Sequence, residues 1–118
     1  MARIVINTQN FMFADLIKRT LEGGDFSVTV VEKTEKLMQE FNRTAANIVL
    51  MEVTGYTSWK IEERIKLRNQ IKQTDPECKI AFLVDEKAEP AVAQKVRRAK
   101  IDGLIDQFIY TSISASYA

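Results

Sequence analysis

Residues 47–53 have the sequence NIVLMEV, and this stretch decides the fold class. Its continuous apolar run, from Ile48 to Met51, is typical of a central strand that is covered on both faces. Central strands of this kind belong to parallel sheets, in which helical crossovers pack on both sides. Glu52 follows the run directly, so we expect a carboxylate at the carboxyl end of this strand.

Four further apolar runs and four amphipathic stretches alternate around this strand. Strands are predicted at residues 3–6, 26–31, 79–84 and 104–105. Apolar spacings of three and four predict helices from residue 11 to the glycine pair at 23–24, from 34 to about 41, from 58 to 73, and from 90 to about 99. The alternation implies an α/β fold, a doubly wound parallel sheet with right-handed crossovers and the strand order 2-1-3-4-5.

The composition excludes several classes of function. Over 118 residues, 17 Lys and Arg oppose 16 Asp and Glu, so the net charge of +1 gives no global field for nucleic acid or anionic lipid. The chain has no histidine, which removes Ser-His and Cys-His catalysis and histidine-based zinc sites. Neither GxGxxG nor GxxxxGK[ST] occurs in the sequence. We therefore expect no cofactor, no metal, no small-molecule substrate and no direct nucleic-acid binding.

The sequence predicts one soluble cytoplasmic domain over residues 1–118, a length that suits a single core. Cys78 is the only cysteine, so no intrachain disulfide can form, and its setting indicates a small packed residue rather than a reactive thiol. No stretch approaches the ~20 apolar residues that span a bilayer. The apolar run at the N-terminus is too short for a signal peptide. We therefore expect no membrane contact.

The spacing of these elements resembles a response-regulator receiver domain, the CheY-like family of flavodoxin-like (βα)5 folds. The resemblance rests on the opening RIVINTQN, on GGDFSV after the first helix, on NIVLMEV, on Asp75-Pro76 and on AKIDGL. It covers nearly the whole chain, up to about Ile109, and no single motif decides it. A receiver would still be building its fifth helix at Ala118, so that helix is expected to be short or truncated.

The resemblance implies a degenerate receiver, because the positions that carry phosphoryl chemistry are altered. The family holds Mg²⁺ with two acidic residues after strand 1, and the matching positions here are Thr8 and Gln9. Glu52 stands at the position of the phosphoacceptor aspartate. Val84 replaces the hydroxyl residue that ends strand 4, and Gln107 replaces the lysine that ends strand 5.

The resemblance also implies a changed switch. In receivers a hydroxyl at the end of strand 4 and an aromatic residue on strand 5 move together, and here Val84 and Leu104 stand at the equivalent positions. Two interpretations of Glu52 stay open. It is either a fixed phosphomimic, or a carboxylate without that role that is solvated or paired with a lysine such as Lys60 or Lys87. We favour the second, because a mimic would have little to act on.

A surface for partners is predicted on and just after the fourth helix. A basic cluster there contains Lys95, Arg97, Arg98 and Lys100. It is either a solvated face or a docking surface for an acidic partner or a DNA backbone.

We expect a receiver-like signalling domain of a two-component-type regulator that acts through contacts with a protein partner or as a homodimer, without phosphorylation and without enzyme activity. Such a domain is the regulatory module of a larger regulator, for example one that controls transcription, or a stand-alone adaptor. Two alternatives stay open. One is an unusual but active phosphoacceptor that uses Glu52 or another acidic residue, and the other is a small enzyme or carrier on the same fold.

Overall fold

A computed structural model of the chain describes residues 2–112. This part of the chain forms the strands β1 (Ala2–Asn7), β2 (Phe26–Val31), β3 (Ile48–Glu52), β4 (Lys79–Val84) and β5 (Gln107–Tyr110). Its helices are α1 (Phe11–Leu21), α2 (Leu37–Thr44), α3 (Ile61–Thr74) and α4 (Pro90–Ile101). Short 3-10 turns, Thr34–Lys36 and Thr57–Trp59, precede α2 and α3.

The strands of the described region pair in parallel, in the order β2-β1-β3-β4-β5. This confirms the predicted fold class and strand order. The register places Asn7 beside Met51, Met51 beside Phe82, and Phe82 beside Phe108. Because neighbouring strands run in the same direction, their carboxyl ends meet at one edge of the sheet, where ligands bind in folds of this type.

Two apolar layers hold the helices against the sheet. On one face, Val49 and Phe82 belong to a cluster with buried residues of α2, α3 and α4. On the other face, Ile6 and Leu83 belong to a second cluster that contains Phe13 of α1. The central strand β3 contributes to both clusters, as its unbroken apolar run predicts.

The fifth strand lies later in the sequence than predicted, because β5 begins at Gln107 and not at residue 104. Helix α4 is followed by Gly103 in the left-handed region (φ 78°), and Leu104 N–H donates to Ala99 O at 2.9 Å. These contacts close the helix C-terminus in the way that favours glycine. Ile105 then enters the core before the strand begins. The apolar pair at 104–105 therefore belongs to the connection between α4 and β5.

Helix α3 also begins later than predicted, at Ile61 rather than at residue 58. The preceding residues form a 3-10 turn in which Thr57 has a positive φ of 52°, which an α-helix does not accommodate. The turn carries Trp59 into the interior, where it is buried.

The fifth helix that the resemblance implies would follow β5, and residues 113–118 lie outside the described residues. Between residues 2 and 112, no helix is both long enough and apolar enough to cross a membrane.

Candidate functional site

The carboxylate of Glu52 is held at the carboxyl edge of the sheet by the segment that follows β1. Its Oε1 accepts a hydrogen bond from the hydroxyl of Thr8 at 2.8 Å and another from the main-chain N–H of Gln9, also at 2.8 Å. Thr8 Oγ1 in turn accepts from Asn10 N–H at 2.9 Å. Three of the predicted site residues therefore converge, although Gln9 contributes its backbone and exposes its side chain.

Glu52 is half-buried and is satisfied by neutral donors rather than by a cation. No ion pair within residues 2–112 involves Glu52, so the proposed pairing with Lys60 or Lys87 is not seen. The acidic side chains between residues 2 and 112 do not form a metal-binding cluster either. Among the described residues, no group of three or more acidic, Cys or His side chains could hold a metal ion.

Val84 ends β4 at the same edge, fully buried, with no hydroxyl to offer a phosphoryl group. Its carbonyl accepts a hydrogen bond from Thr111 N–H at 2.9 Å. The next two residues are both acidic, and both accept hydrogen bonds. Asp85 Oδ1 caps the turn that leads towards α4, and Glu86 Oε2 accepts from Ser112 Oγ at 2.6 Å.

The placement of Gln107 at the carboxyl edge is wrong. Gln107 is the first residue of β5 and pairs with Ala81, so it lies three residues before the end of its strand and not at the carboxyl edge. The residues that end the strand beside Val84 are Tyr110 and then Thr111. The error follows from the late start of β5. The family's lysine is expected at the end of strand 5, and the residue that follows β5 here is Thr111, so that lysine is absent from the sequence.

The assignment of Leu104 as the strand 5 switch residue is also wrong, because Leu104 precedes β5. The strand itself carries two aromatic residues, Phe108 and Tyr110, whose ring centroids lie 5.4 Å apart. An aromatic side chain on β5 is therefore present. Of the switch pair that the resemblance implies, only the hydroxyl at the end of β4 is replaced, by Val84.

Sequence reasoning missed Arg64, which has no exposed surface and is the only charged side chain among the buried residues of the described region. A signal for its burial existed. Arg64 follows Ile61 by three positions and precedes Ile71 by seven, spacings that place all three on one face of α3. Both isoleucines belong to the core.

Three hydrogen bonds hold the guanidinium of Arg64 between three segments of the chain. Nε donates to Glu52 O at 2.8 Å, at the end of β3. Nη2 donates to Asn7 Oδ1 at 2.6 Å, at the end of β1. Nη1 donates to Thr34 Oγ1 at 3.2 Å, before α2. The guanidinium carbon also lies 4.5 Å from the ring centroid of Trp59, which gives a cation–π contact.

Burial lowers the pKa of Arg64 to about 10, and the charge of Glu52 opposes part of this effect. The side chain therefore stays protonated at neutral pH. All three of its acceptors are neutral oxygens, so the charge is compensated by dipoles and by the aromatic ring rather than by a carboxylate in direct contact.

The Mg²⁺ that the receiver resemblance implies does not fit these residues. The chain after the last apolar residue of β1 offers Asn7, Thr8 and Gln9, all uncharged. Asn7 Oδ1 is engaged by Arg64, and the Thr8 hydroxyl by Glu52. A hard divalent cation binds carboxylate oxygens, and Glu52 is the one carboxylate among the predicted site residues; its Oε1 already accepts two hydrogen bonds.

Two of the four basic residues predicted as one cluster point away from a common surface. Arg98 pairs with Asp102 on the same helix, with Nε 3.1 Å from Oδ1. Lys95 lines a separate cavity next to the start of α3, together with Lys60. The predicted cluster is therefore divided.

The other two, Arg97 and Lys100, line a groove between α4 and β5. Arg97 Nη1 donates to the hydroxyl of Tyr110 at 2.6 Å. The same groove is lined by Phe108 and by Ile101, a residue that is 75% exposed. Cations thus lie beside exposed apolar surface here.

No family model matches the chain, and no curated protein matches its sequence. Solved structures do match. The non-phosphorylated HemR receiver domain from Leptospira biflexa is 17% identical, with a TM-score of 0.69, over 94% of this chain and 82% of that one. A receiver domain of a two-component response regulator from Bacteroides fragilis is 14% identical, with a TM-score of 0.68, over 99% and 92% of the two chains.

A third match is the response regulator TrrA from Thermotoga maritima, solved in complex with Mg²⁺ and BeF. It is 16% identical, with a TM-score of 0.66, over 95% of this chain and 88% of that one. Identities at this level establish the likeness of the backbones. The chain therefore has the fold of response-regulator receiver domains, as the spacing of its strands and helices predicts.

Proposed function

We propose that the chain is a receiver-like signalling domain of a two-component-type regulator that acts through protein contacts, without phosphorylation and not as an enzyme. The observation that carries this proposal is the state of Glu52. Its carboxylate accepts hydrogen bonds from the neutral donors of Thr8 and Gln9, neither of which supplies a second carboxylate, and no lysine follows β5 in the sequence.

The requirements of phosphoryl transfer support this proposal, because the carboxyl edge does not meet them. The reaction depends on positioning and on electrostatic stabilisation by metal ions and cations. Glu52 is one methylene longer than the aspartate that the family uses, and in-line displacement tolerates such shifts poorly. Val84 has no hydroxyl with which to orient a phosphoryl group. The carboxyl edge is therefore suited to holding Glu52 in a fixed hydrogen-bonded position and not to transferring a phosphoryl group.

The test is incubation of the full chain with acetyl phosphate and Mg²⁺, followed by intact mass measurement under conditions that preserve acyl phosphates. We expect no phosphoryl adduct. A stoichiometric adduct would show that the alternative, an active phosphoacceptor that uses Glu52 or another acidic residue, is the correct function. Repeating the reaction with Glu52→Gln would then locate the modified residue.

For the protein contact we propose the α4–β5 face, defined by Arg97, Lys100, Ile101, Asp106 and Phe108. These residues line one groove and combine two cations, one carboxylate and apolar side chains. A surface with both signs of charge around an apolar centre can complement itself under a two-fold rotation. We therefore propose a second copy of this chain as the partner.

We propose further that residues 1–118 form one domain that works in the cytoplasm. A role as an enzyme or carrier has less support, because Asp85 accepts hydrogen bonds from the turn that follows it and one oxygen of Glu86 accepts from Ser112.

A further inference from the structure

We propose that the guanidinium of Arg64 is a built-in cation that takes the place of a divalent metal between the ends of β1 and β3. The inference rests on the proposed loss of phosphoryl chemistry at this edge, but not on the identity of any partner. A guanidinium at this place would explain why the residues at the carboxyl edge do not fit Mg²⁺. The positive charge is already supplied from α3.

The position of the charge is the first support. Arg64 reaches the sheet from α3 and contacts the last residue of β1 through Asn7 Oδ1 and the last residue of β3 through Glu52 O. These strands are neighbours in the sheet. A single cation therefore joins the two strand ends that contribute to the carboxyl edge.

The orientation of Asn7 is the second support. Its Oδ1 accepts from Arg64 while its Nδ2 donates to Val31 O at 2.9 Å, so the two ends of the amide face a cation and a carbonyl. Asn7 is fully buried. An aspartate at this position would turn one of its oxygens towards the carbonyl of Val31, with repulsion in place of a hydrogen bond. The buried asparagine thus suits a contact with an arginine, and its oxygen is not free to bind a metal ion.

The desolvation of Arg64 is the third support. A buried cation is costly unless its donors are satisfied, and here all three nitrogens donate while the flat face lies on Trp59. A planar guanidinium suits this arrangement, since its donors are fixed in direction and it stacks on aromatic rings. A lysine would supply the positive charge, but its donors would not be fixed in the directions of the three acceptors.

The experiment restores acidic ligands and asks whether Arg64 excludes the metal. An acid-pair variant carries Thr8→Asp and Gln9→Asp, the two positions at which receivers hold Mg²⁺ with acidic residues, so that two carboxylates join Glu52. It is compared with the same variant carrying Arg64→Met, Arg64→Lys, or Arg68→Met as the matched control. Arg68 lies one turn further along α3 and donates to Leu104 O, far from the edge. Mg²⁺ binding is measured by calorimetry, and folding by far-ultraviolet circular dichroism.

We expect the acid pair with Arg64→Met to bind Mg²⁺ at least tenfold more tightly than the acid pair with Arg64. The Arg64→Lys and Arg68→Met versions should stay as weak as the acid pair alone, because both retain a cation in α3 beside the site. If the Met version is unfolded without metal, Mg²⁺ should restore its helical signal, and potassium at equal ionic strength should not.

Equal Mg²⁺ affinity with Arg64 and with Met at this position would overturn the inference, and so would equal affinity with Lys and Met. A Met version that stays unfolded in Mg²⁺ would also count against it. None of these results would touch the proposed function if acetyl phosphate still leaves the native chain unmodified.

Discussion

Arg64 Nη2 donates a 2.6 Å hydrogen bond to Asn7 Oδ1, across 57 residues of sequence. Both residues are fully buried, and the bond joins α3 to the end of β1. A buried donor and acceptor held in this way contribute to stability chiefly because separation would leave each of them unsatisfied. The contact therefore makes the carboxyl edge part of the folded core rather than an open site.

Replacement of Arg64 by Met should destabilise the fold by about 2–3 kcal/mol, because the buried Asn7 Oδ1 and two part-buried oxygens lose their donor. The relief of desolvation keeps the loss from being larger. Urea denaturation of the two proteins measures the difference. Arg68→Met, at a partly buried site with one main-chain contact, should cost about 1 kcal/mol or less. Equal costs for the two variants would contradict the role given to Arg64.

The stability difference between the native chain and Arg64→Met should be constant from about pH 6 to 9. The pKa of Arg64 is lowered by burial from 12.5 to about 10, so the group is protonated throughout this range in both the folded and the unfolded states. Above pH 10 the folded protein loses this proton while the unfolded chain keeps it. The unfolded state then binds more protons, so the native chain should gain stability relative to the variant as pH rises. Paired denaturation curves at each pH test this sign.

Cys78 should react slowly with iodoacetamide in the folded protein. Burial raises the pKa of its thiol from 9.0 to about 11, and the charges of Asp75 and Asp106 act in the same direction. Two pKa units reduce the thiolate at pH 8 by about a hundredfold, and the thiolate is the reactive form. Mass spectrometry against time should show labelling at least that much slower than in urea. Similar rates in the two conditions would show that the thiol is accessible.

The sequence predicted the central elements well because their signals are local. The alternation of apolar and polar residues located β2 and an apolar run located β4, both at their observed bounds, and the run before Glu52 located β3. The fifth strand was misplaced because Leu104 and Ile105 are apolar for another reason. They cover the core between the end of α4 and the start of β5. Composition alone does not distinguish a buried connection from a strand.

The candidate site was predicted in part. The contact of Glu52 with the segment after β1 follows from parallel strand ends meeting at one edge, and Thr8 and Gln9 are there. Arg64 was missed because a charged residue is expected at the surface of a helix. Its partners come from β1, β3 and the turn before α2, and a helical pattern alone does not reveal such distant acceptors.

Glu52→Gln should leave the fold and the self-association of the chain nearly unchanged. The amide oxygen of glutamine can accept the same two hydrogen bonds from Thr8 and Gln9. We expect stability within about 0.5 kcal/mol of the native value. Because β5 retains aromatic residues, only the missing hydroxyl at Val84 separates Glu52 from the switch pair of receivers. The variant therefore tests whether a charge at Glu52 still affects association. A tenfold change in dimer affinity (about 1.4 kcal/mol) would favour the phosphomimic interpretation instead.

Arg97→Glu should weaken association of the chain at least tenfold, whereas Arg98→Glu should change it by less than about threefold. Arg97 lines the groove of the α4–β5 face, and Arg98 is paired with Asp102 outside it. Each change takes the net charge from +1 to −1, since one positive charge is replaced by one negative charge. The two variants therefore differ in where the charge lies and not in how much there is.

Sedimentation equilibrium over a range of concentrations gives the dimer dissociation constant for each protein, and thermal melts show that both variants fold. Reversal of Arg97 places a carboxylate in the groove that already contains Asp106, so like charges would face each other across a two-fold axis. Replacement of the exposed Ile101 by Ser should weaken the dimer as well, because the apolar surface of Ile101 lies in the same groove. Equal effects of Arg97→Glu and Arg98→Glu would show that only overall charge matters. A native chain that stays monomeric at every concentration would rule out a second copy as the partner.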